Sequence, residues 1–271
     1  MEYEPLPNGL HDMEDPEYFG RKALSNSYLW RSINKTPAHA KAGFEGAVLE
    51  FGKAAHLAVL EPERASKTLV QGPKDRRGKK WTEAKEAAEA EGKIILTEAD
   101  YNDICAMRDV IWASTTLAGL LTDKDAKYEQ AAFWQYRGHD CKCKVDAAMP
   151  GRIVDYKTAA DASVAGFANS MKSFGYHQQA ASYRYGYNQA AGTQISEFIF
   201  LVQEKTRPFA AAIYELDAAT LAEGWASYNA AIDLEERCIA AENYHAYPAE
   251  KVLLSLPPYG FRFTNQREIE L

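Results

Sequence analysis

The chain has 271 residues, 46% hydrophobic and 25% charged, enough to bury a core and close to the upper size for one domain. Its net charge of −7 argues against a protein that coats nucleic acid nonspecifically, because that binding runs on Lys and Arg displacing phosphate counterions. It leaves room for an enzyme that needs only a local positive channel and metal ions.

No apolar run approaches the roughly 18 to 20 residues of a membrane span, and Met1 to Asp15 is acidic and Pro-bearing, unlike a secretory leader. The cysteines, Cys105, Cys141, Cys143 and Cys238, form neither a disulfide framework nor a Cys-x-x-Cys zinc pair. A soluble, cytoplasmic protein with reduced thiols is expected.

In chain order, residues 1–23 read as an N-terminal extension and 24–128 as a mostly helical part. Leu24 to Ile33 predicts a short helix capped by Ser25 or Ser27, and Glu45 to Leu60 a longer one stopped by Pro62. Gly72 to Lys80 (GPKDRRGKK) is a basic, breaker-rich loop, followed by helical patterns over Trp81 to Glu91 and Glu98 to Leu121. At Glu129 the texture changes. Gln130 to Tyr136, Asp140 to Met149 and Arg152 to Thr158 are short aromatic or β-branched runs separated by Arg137-Gly138 and Pro150-Gly151, which predicts an antiparallel meander. Ala162 to Ala190 is helical with a break near Gly175. Strands over Glu197 to Gln203 and Phe209 to Leu216 follow, then a helix over Ala218 to Glu242 and a tail, 243–271. A strand, a helical crossover and another strand imply one α/β domain with a mixed central sheet flanked by helices, its core spanning 129–242.

The chemistry centres on Asp146, nine residues before Asp155-Tyr156-Lys157. Alternate side chains share a strand face, so Asp155 and Lys157 project together, and a turn at Pro150-Gly151 places Asp146 opposite Asp155. Two carboxylates and an ammonium suit phosphodiester hydrolysis: hard oxygen ligands hold Mg²⁺, with Mn²⁺ as its substitute, and the lysine orients or deprotonates water and stabilises developing charge. Such residues are common on exposed strands, so their neighbours matter. His56 lies on a helix with Gly52 one turn earlier, leaving space for a metal. Gln179 and Tyr183 share one helix face at i,i+4, and the Glu129 carboxylate precedes the first meander strand. Lys157, Lys144 and the loop cations Lys74, Arg76, Arg77, Lys79 and Lys80 are candidates for DNA contact. Cys141 and Cys143, and the tryptophans Trp30, Trp81, Trp112, Trp134 and Trp225, read as packing residues.

The order His, Glu, Asp, Asp-x-Lys, Gln-x-x-x-Tyr resembles the RecB-like branch of the PD-(D/E)XK nucleases, and more closely the RecE-type exonuclease VIII proteins of prophages. The strings LSNSYLWRSINKTPAHAKAG, FGKAAHLAVLEPER, CKCKVDAAMPGRIVDYKTAADAS and GYHQQAASYRYGY carry the likeness, over roughly residues 24–240. The resemblance implies a restriction-endonuclease-like core. His56, Asp146, Asp155 and the Tyr156 backbone carbonyl would bind metal, Lys157 would be the catalytic lysine, and Gln179 and Tyr183 would support phosphate or water. Glu129 joins them as a catalytic carboxylate. It further implies Mg²⁺-dependent 5′→3′ digestion of duplex DNA ends, leaving 3′ overhangs for an annealing protein of the RecT or Redβ kind, by a homo-oligomeric ring of phage or prophage origin. Other readings are an endonuclease of structure-specific or restriction type and a non-catalytic DNA-binding module. The four-cysteine iron-sulfur grouping of some RecB-like nucleases is missing.

Overall fold

The computed structural model describes residues 6–43 and 50–255. The chain opens with strand β1 (Gly9–His11), helix α1 (Asp15–Gly20), the two-residue strand β2 (Leu24–Ser25) and helices α2 (Asn26–Asn34) and α3 (Pro37–Ala42). Ser25 and Thr36 cap α2 and α3, their hydroxyls accepting the Tyr28 and His39 backbone N–H groups at 3.3 Å each. Helix α4 (Glu50–Leu60) ends before Pro62, and α5 (Pro62–Thr68) starts there, because proline lacks the N–H a helix interior needs but fits its first turn. Positions 45–49 of the expected long helix lie outside the described residues. Strand β3 (Leu69–Gln71), helix α6 (Lys79–Ala90) and strand β4 (Ile94–Leu96) build a small parallel pair, β3 with β4.

The helical pattern expected over Glu98 to Leu121 is two helices, α7 (Glu98–Ala113) and α8 (Thr115–Leu121), bent 96° apart. Ser114 causes the break: its hydroxyl accepts the Leu117 N–H at 3.3 Å and starts a new helix rather than continuing the old one. No single helix among the described residues is long and apolar enough to cross a membrane.

The meander follows as β5 (Lys127–Tyr136), β6 (His139–Met149) and β7 (Arg152–Ala159). Helices α9 (Val164–Phe174) and α10 (Tyr176–Ala191) cross over to β8 (Glu197–Glu204), which lies parallel to β7, and β9 (Ala211–Glu215) returns antiparallel before α11 (Ala218–Ala240). The seven-stranded sheet runs β1-β5-β6-β7-β8-β9 with β2 beside β6, a mixed sheet with helices packed against it, as the sequence pattern implies. Gly175 sits in the left-handed region at φ 70 and lets the chain turn from α9 into α10.

The described part of the segment read as an extension, residues 6–23, is tied into the central sheet. Gly9, Leu10 and His11 pair with Phe133, Ala132 and Ala131. Strand β2 pairs in parallel with Cys141 and Lys142, occupying the flank of β6 that β7 leaves open, since β7 pairs only with Ala147 to Met149. Between the two partners, residues 143–146 of β6 have no ladder partner on that flank among the described residues. The candidate site residues gather at this gap.

One core side joins α4, α7 and the sheet through Ala54, Val59, Ile104, Met107, Val154 and Tyr156, and the other packs α10 on the opposite face through Trp134, Cys141, Cys143, Val145 and Tyr187. Both cysteines are fully buried there and Tyr228 Oη lies 3.3 Å from Cys141 Sγ, so they are packing groups. At Gly186 a β-carbon would lie 2.4 Å from the Trp134 ring, so the indole is seated in a notch only glycine provides.

Candidate metal centre

Register explains why the acidic residues meet. The pairs Tyr128–Ala147 and Gln130–Val145 bracket Glu129 and Asp146, which therefore stand opposite each other. One position beyond the pair Ala147–Val154, Asp146 stands opposite Asp155. Glu129, Asp146 and Asp155 thus align across three adjacent strands where the sheet opens, Asp146 meeting His56 from the α4 side and Asp155 meeting Gln179 from the α10 side. Like charges in such a row repel, and neither junction keeps its ladder bonds. Glu129 adopts φ 49, a left-handed conformation costing a non-glycine residue on the order of 1 kcal/mol. Strands β6 and β7 part, and Asp146 Oδ2 accepts the Tyr156 N–H at 2.7 Å in place of a strand carbonyl.

Helix α4 lays His56 over the row. Its Nδ1 stands 3.5 Å from Asp146 Oδ2, and its ring meets the Tyr156 ring edge-on at 5.0 Å. Single ligand atoms from His56, Glu129 and Asp146 all lie within 4.8 Å of one another. Burial, and then the Lys157 charge, pull the His56 pKa down to about 4, so at neutral pH the ring is uncharged and offers a lone pair. The contact with Asp146 is therefore not an ion pair in the metal-free protein. Burial, and then Asp155, push Asp146 up to about 7, while burial and Asp146 raise Glu129. Carboxylates held against their preference for charge are the groups a divalent cation relieves.

Asp155, almost wholly buried, is fixed from two sides. Gln179 Nε2 donates to its Oδ1 at 2.8 Å, and the Lys157 ammonium makes a short ion pair with its Oδ2, which accepts no well-directed hydrogen bond. That incompletely satisfied buried oxygen, the neutral imidazole and the oxygen-rich donor set fit a hard divalent ion. Burial depresses the Lys157 ammonium, but Asp155 and Asp146 outweigh it and hold the pKa above the ordinary lysine value. Lys157 carries its proton in this state, which makes it a source of positive charge rather than a base. Its Nζ also sits 5.0 Å over the Tyr176 ring.

A cleft of about 1040 Å³ opens at the centre, lined by His56, Gly52, Glu129, Asp146 and Tyr183 together with Asp15, Lys53, Lys142 and Lys144. Asp155, Lys157 and Gln179 lie behind this lining. Of the residues singled out in the sequence, the fold brings His56, Glu129, Asp146, Asp155, Lys157, Gln179 and Tyr183 to one region, and Glu129 stands within ligand distance of His56 and Asp146, closer in than a general catalytic carboxylate needs to be. The Tyr156 side chain points away from any metal role: it is buried, and its hydroxyl donates to Gln203 Oε1 at 2.6 Å.

The basic loop does not join the site. Arg76 is held by Glu50 at 2.9 Å and Asp100 at 3.0 Å and lies over Trp81, and Lys79, which opens α6, pairs with Glu83. Sequence reasoning missed Asp15 and Lys53. Asp15 has no local signal, because DMEDPEYF reads only as an acidic helix start, whereas Lys53 precedes His56 by three residues and so shares its helix face.

Residues 25–252 match the family described as "PDDEXK-like domain of unknown function (DUF3799)". The chain belongs to that PDDEXK-like family. A crystal structure from Eubacterium rectale, named "Putative exonuclease", shares the fold with TM-score 0.63 at 14% identity, over 90% of this chain and 97% of that one. No curated protein shows significant similarity to the chain.

Proposed function

We propose that this PDDEXK-like protein is a divalent-metal-dependent DNA nuclease, and specifically a 5′→3′ exonuclease of the RecE type acting on duplex ends. The observation that carries the reading is the row Glu129, Asp146, Asp155 under His56, with the Lys157 ammonium at its end. Membership of the PDDEXK-like family supports nuclease chemistry, and the name given to the Eubacterium rectale neighbour agrees with an exonuclease.

His56, Glu129 and Asp146 would hold the ion, with Asp155 and the Tyr156 carbonyl completing the set. An ion held there, Mg²⁺ or Mn²⁺, would supply Lewis-acid polarisation of a phosphate and lower the pKa of a bound water. The protein's own contribution is positional. Gln179 holds Asp155 in one rotamer, and the protonated Lys157 places a fixed positive charge where negative charge grows as the phosphoryl group is attacked, in a pocket with little water to screen it. Tyr183, on the cleft wall, is available to a phosphate or to water. Degrading the 5′-ended strand would leave 3′ overhangs for an annealing protein of the RecT or Redβ kind. A homo-oligomeric ring enclosing the duplex would give grip that a net charge of −7 does not.

Linear and covalently closed duplex DNA, incubated with Mg²⁺, test the reading together with duplexes labelled separately at 5′ and 3′ ends. Digestion of the linear form alone, with early release of the 5′ label, is expected. Cleavage of the closed circle assigns an endonuclease instead. Hydrolysis that survives both Asp146→Ala and Asp155→Ala refutes the site.

A further inference from the structure

The cleft carries a second arrangement that the metal centre does not use. Lys53 lies three residues before His56 on α4, and Lys144 two residues before Asp146 on β6, so each projects on the same face as a proposed metal ligand. Their ammonium groups converge on a single carboxylate. Lys144 Nζ is 2.8 Å from Asp15 Oδ1, and Lys53 Nζ is 2.9 Å from Asp15 Oδ2. Lys144 also reaches Glu129 Oε2 at 3.1 Å, which ties the pair to the metal centre through one side chain. Two cations from separate elements, each taking one oxygen of the same anion, make a cradle for an oxyanion with two free oxygens.

The anion now in the cradle comes from α1, and α1 is anchored independently of it. The buried Lys142 ammonium donates to the Tyr18 carbonyl at 2.7 Å and to the Arg21 carbonyl at 2.6 Å, holding the C-terminal end of the helix. On the other side, β1 is hydrogen-bonded to β5. Asp15 is thus presented to the cleft from a segment secured at both ends, and it can release the lysines without α1 leaving the sheet.

We propose that Lys53 and Lys144 form the subsite that grips a phosphate of the substrate strand beside the metal centre, and that Asp15 occupies it as a phosphate mimic until DNA displaces it. The proposal rests on the nuclease reading above and adds to it a binding site and a built-in competitor. A phosphodiester presents two free oxygens and a full negative charge to the two lysines, where Asp15 offers the same charge from a flexible carboxylate. The occupant is either a terminal 5′-phosphate or an internal phosphodiester.

The test measures binding of metal-free protein to a short labelled duplex, made with 5′-phosphate or with 5′-hydroxyl ends, between about 50 and 200 mM salt. Asp15→Asn should tighten binding about threefold or more, since DNA no longer has to displace Asp15 from its pairs with Lys53 and Lys144. Lys53→Gln should weaken binding and lower the slope of log affinity against log salt by about one, the loss of one phosphate contact. The double variant should lose the gain of Asp15→Asn. A gain confined to 5′-phosphorylated duplex assigns the terminal phosphate; a gain on both duplexes assigns an internal one.

Wild-type affinity and slope in both single variants overturn the subsite, as does weaker binding by Asp15→Asn at unchanged Tm. Lys53 is 44% exposed, so its replacement tests the proposal even where Asp15→Asn disturbs folding. Because these measurements use no metal, the two readings fail separately. Binding that behaves as described, without Mg²⁺-dependent hydrolysis, removes the nuclease and keeps the subsite; hydrolysis with unchanged variants does the reverse.

Discussion

Replacing Asp146 by Asn should stabilise the metal-free protein while abolishing its chemistry. Asn keeps an oxygen to accept the Tyr156 N–H, now 2.7 Å from Asp146 Oδ2, but removes a charge crowded by burial and Asp155. The folded-state pKa of Asp146 stands at about 7 against an ordinary 3.8. A carboxyl raised in this way binds a proton more tightly folded than unfolded. Wild-type stability therefore falls as pH rises from about 4 to about 7, and the full penalty is present above 7. At about 1.4 kcal/mol per tenfold change in proton affinity, the gap sets a ceiling of about 4 kcal/mol. Lys157 and Lys144 offset part of it, and about 2 kcal/mol corresponds to about 5 °C in Tm for a chain of this size. Thermal melts in chelator from about pH 4.5 to 8.5 should show wild type and Asp146→Asn converging at the acid end and separating toward alkaline pH, with Asn higher. Mg²⁺ should raise the wild-type Tm and leave the variant unmoved. A variant less stable than wild type by the same margin at every pH would mean that the carboxylate is a structural acceptor and the row of acids is not strained.

Lys157→Ala should lower the single-turnover cleavage rate on the order of 10² or more while the metal-induced rise in Tm persists, which separates charge stabilisation from coordination; a tenfold loss or less, or loss of the Tm response, contradicts the role. His56→Ala should weaken Mn²⁺ binding, read from the free-ion electron paramagnetic resonance signal, and Mn²⁺ should support cleavage where the looser geometry of Ca²⁺ supports little. Unchanged Mn²⁺ affinity in that variant would place the imidazole outside the coordination sphere. Gly186→Ala should cost about 1–3 kcal/mol, because the new methyl drives into the Trp134 ring, with a chemical-denaturation midpoint that falls while Mn²⁺ affinity holds.

The meander and its site were legible because alternation, the Pro150-Gly151 turn and the spacing of Asp146 from Asp155 and Lys157 together determine register, and register determines which residues face one another. The crossover from β7 to β8 was legible for a similar reason: Gly175 marks the break between two helices whose combined length spans the return. Elements stabilised by tertiary contact alone were not legible. The three residues of β1 and the two of β2 carry no pattern of their own and exist as strands because β5 and β6 offer unpaired edges. The bend at Ser114 hides inside a continuous helical periodicity, since serine is tolerated in a helix and becomes a cap only where packing turns the chain. Glu129 was recognisable as a candidate, but its left-handed backbone was not, because a glutamate gives no hint of a position that glycine would ordinarily fill. Arg76 shows another gap: the acids that pair with it, Glu50 and Asp100, are distant in sequence and carry no signal in the basic loop.

The way the gap beside β6 is assembled bears on when, during synthesis, the candidate metal centre can form. Several junctions of the centre join parts of the chain made far apart: Leu10 pairs with Ala132, His56 reaches Asp146, and Asp155 waits for Gln179. Loop closure on this scale is entropically costly and comes late in folding. A ribosome that stalls before residue 179 therefore releases a fragment with acids, a histidine and a lysine but with Asp155 unsecured, and one that stalls before residue 146 releases no ion site at all. The complete candidate centre therefore needs the chain through residue 179, and interrupted synthesis leaves its acids, histidine and lysine without their full arrangement.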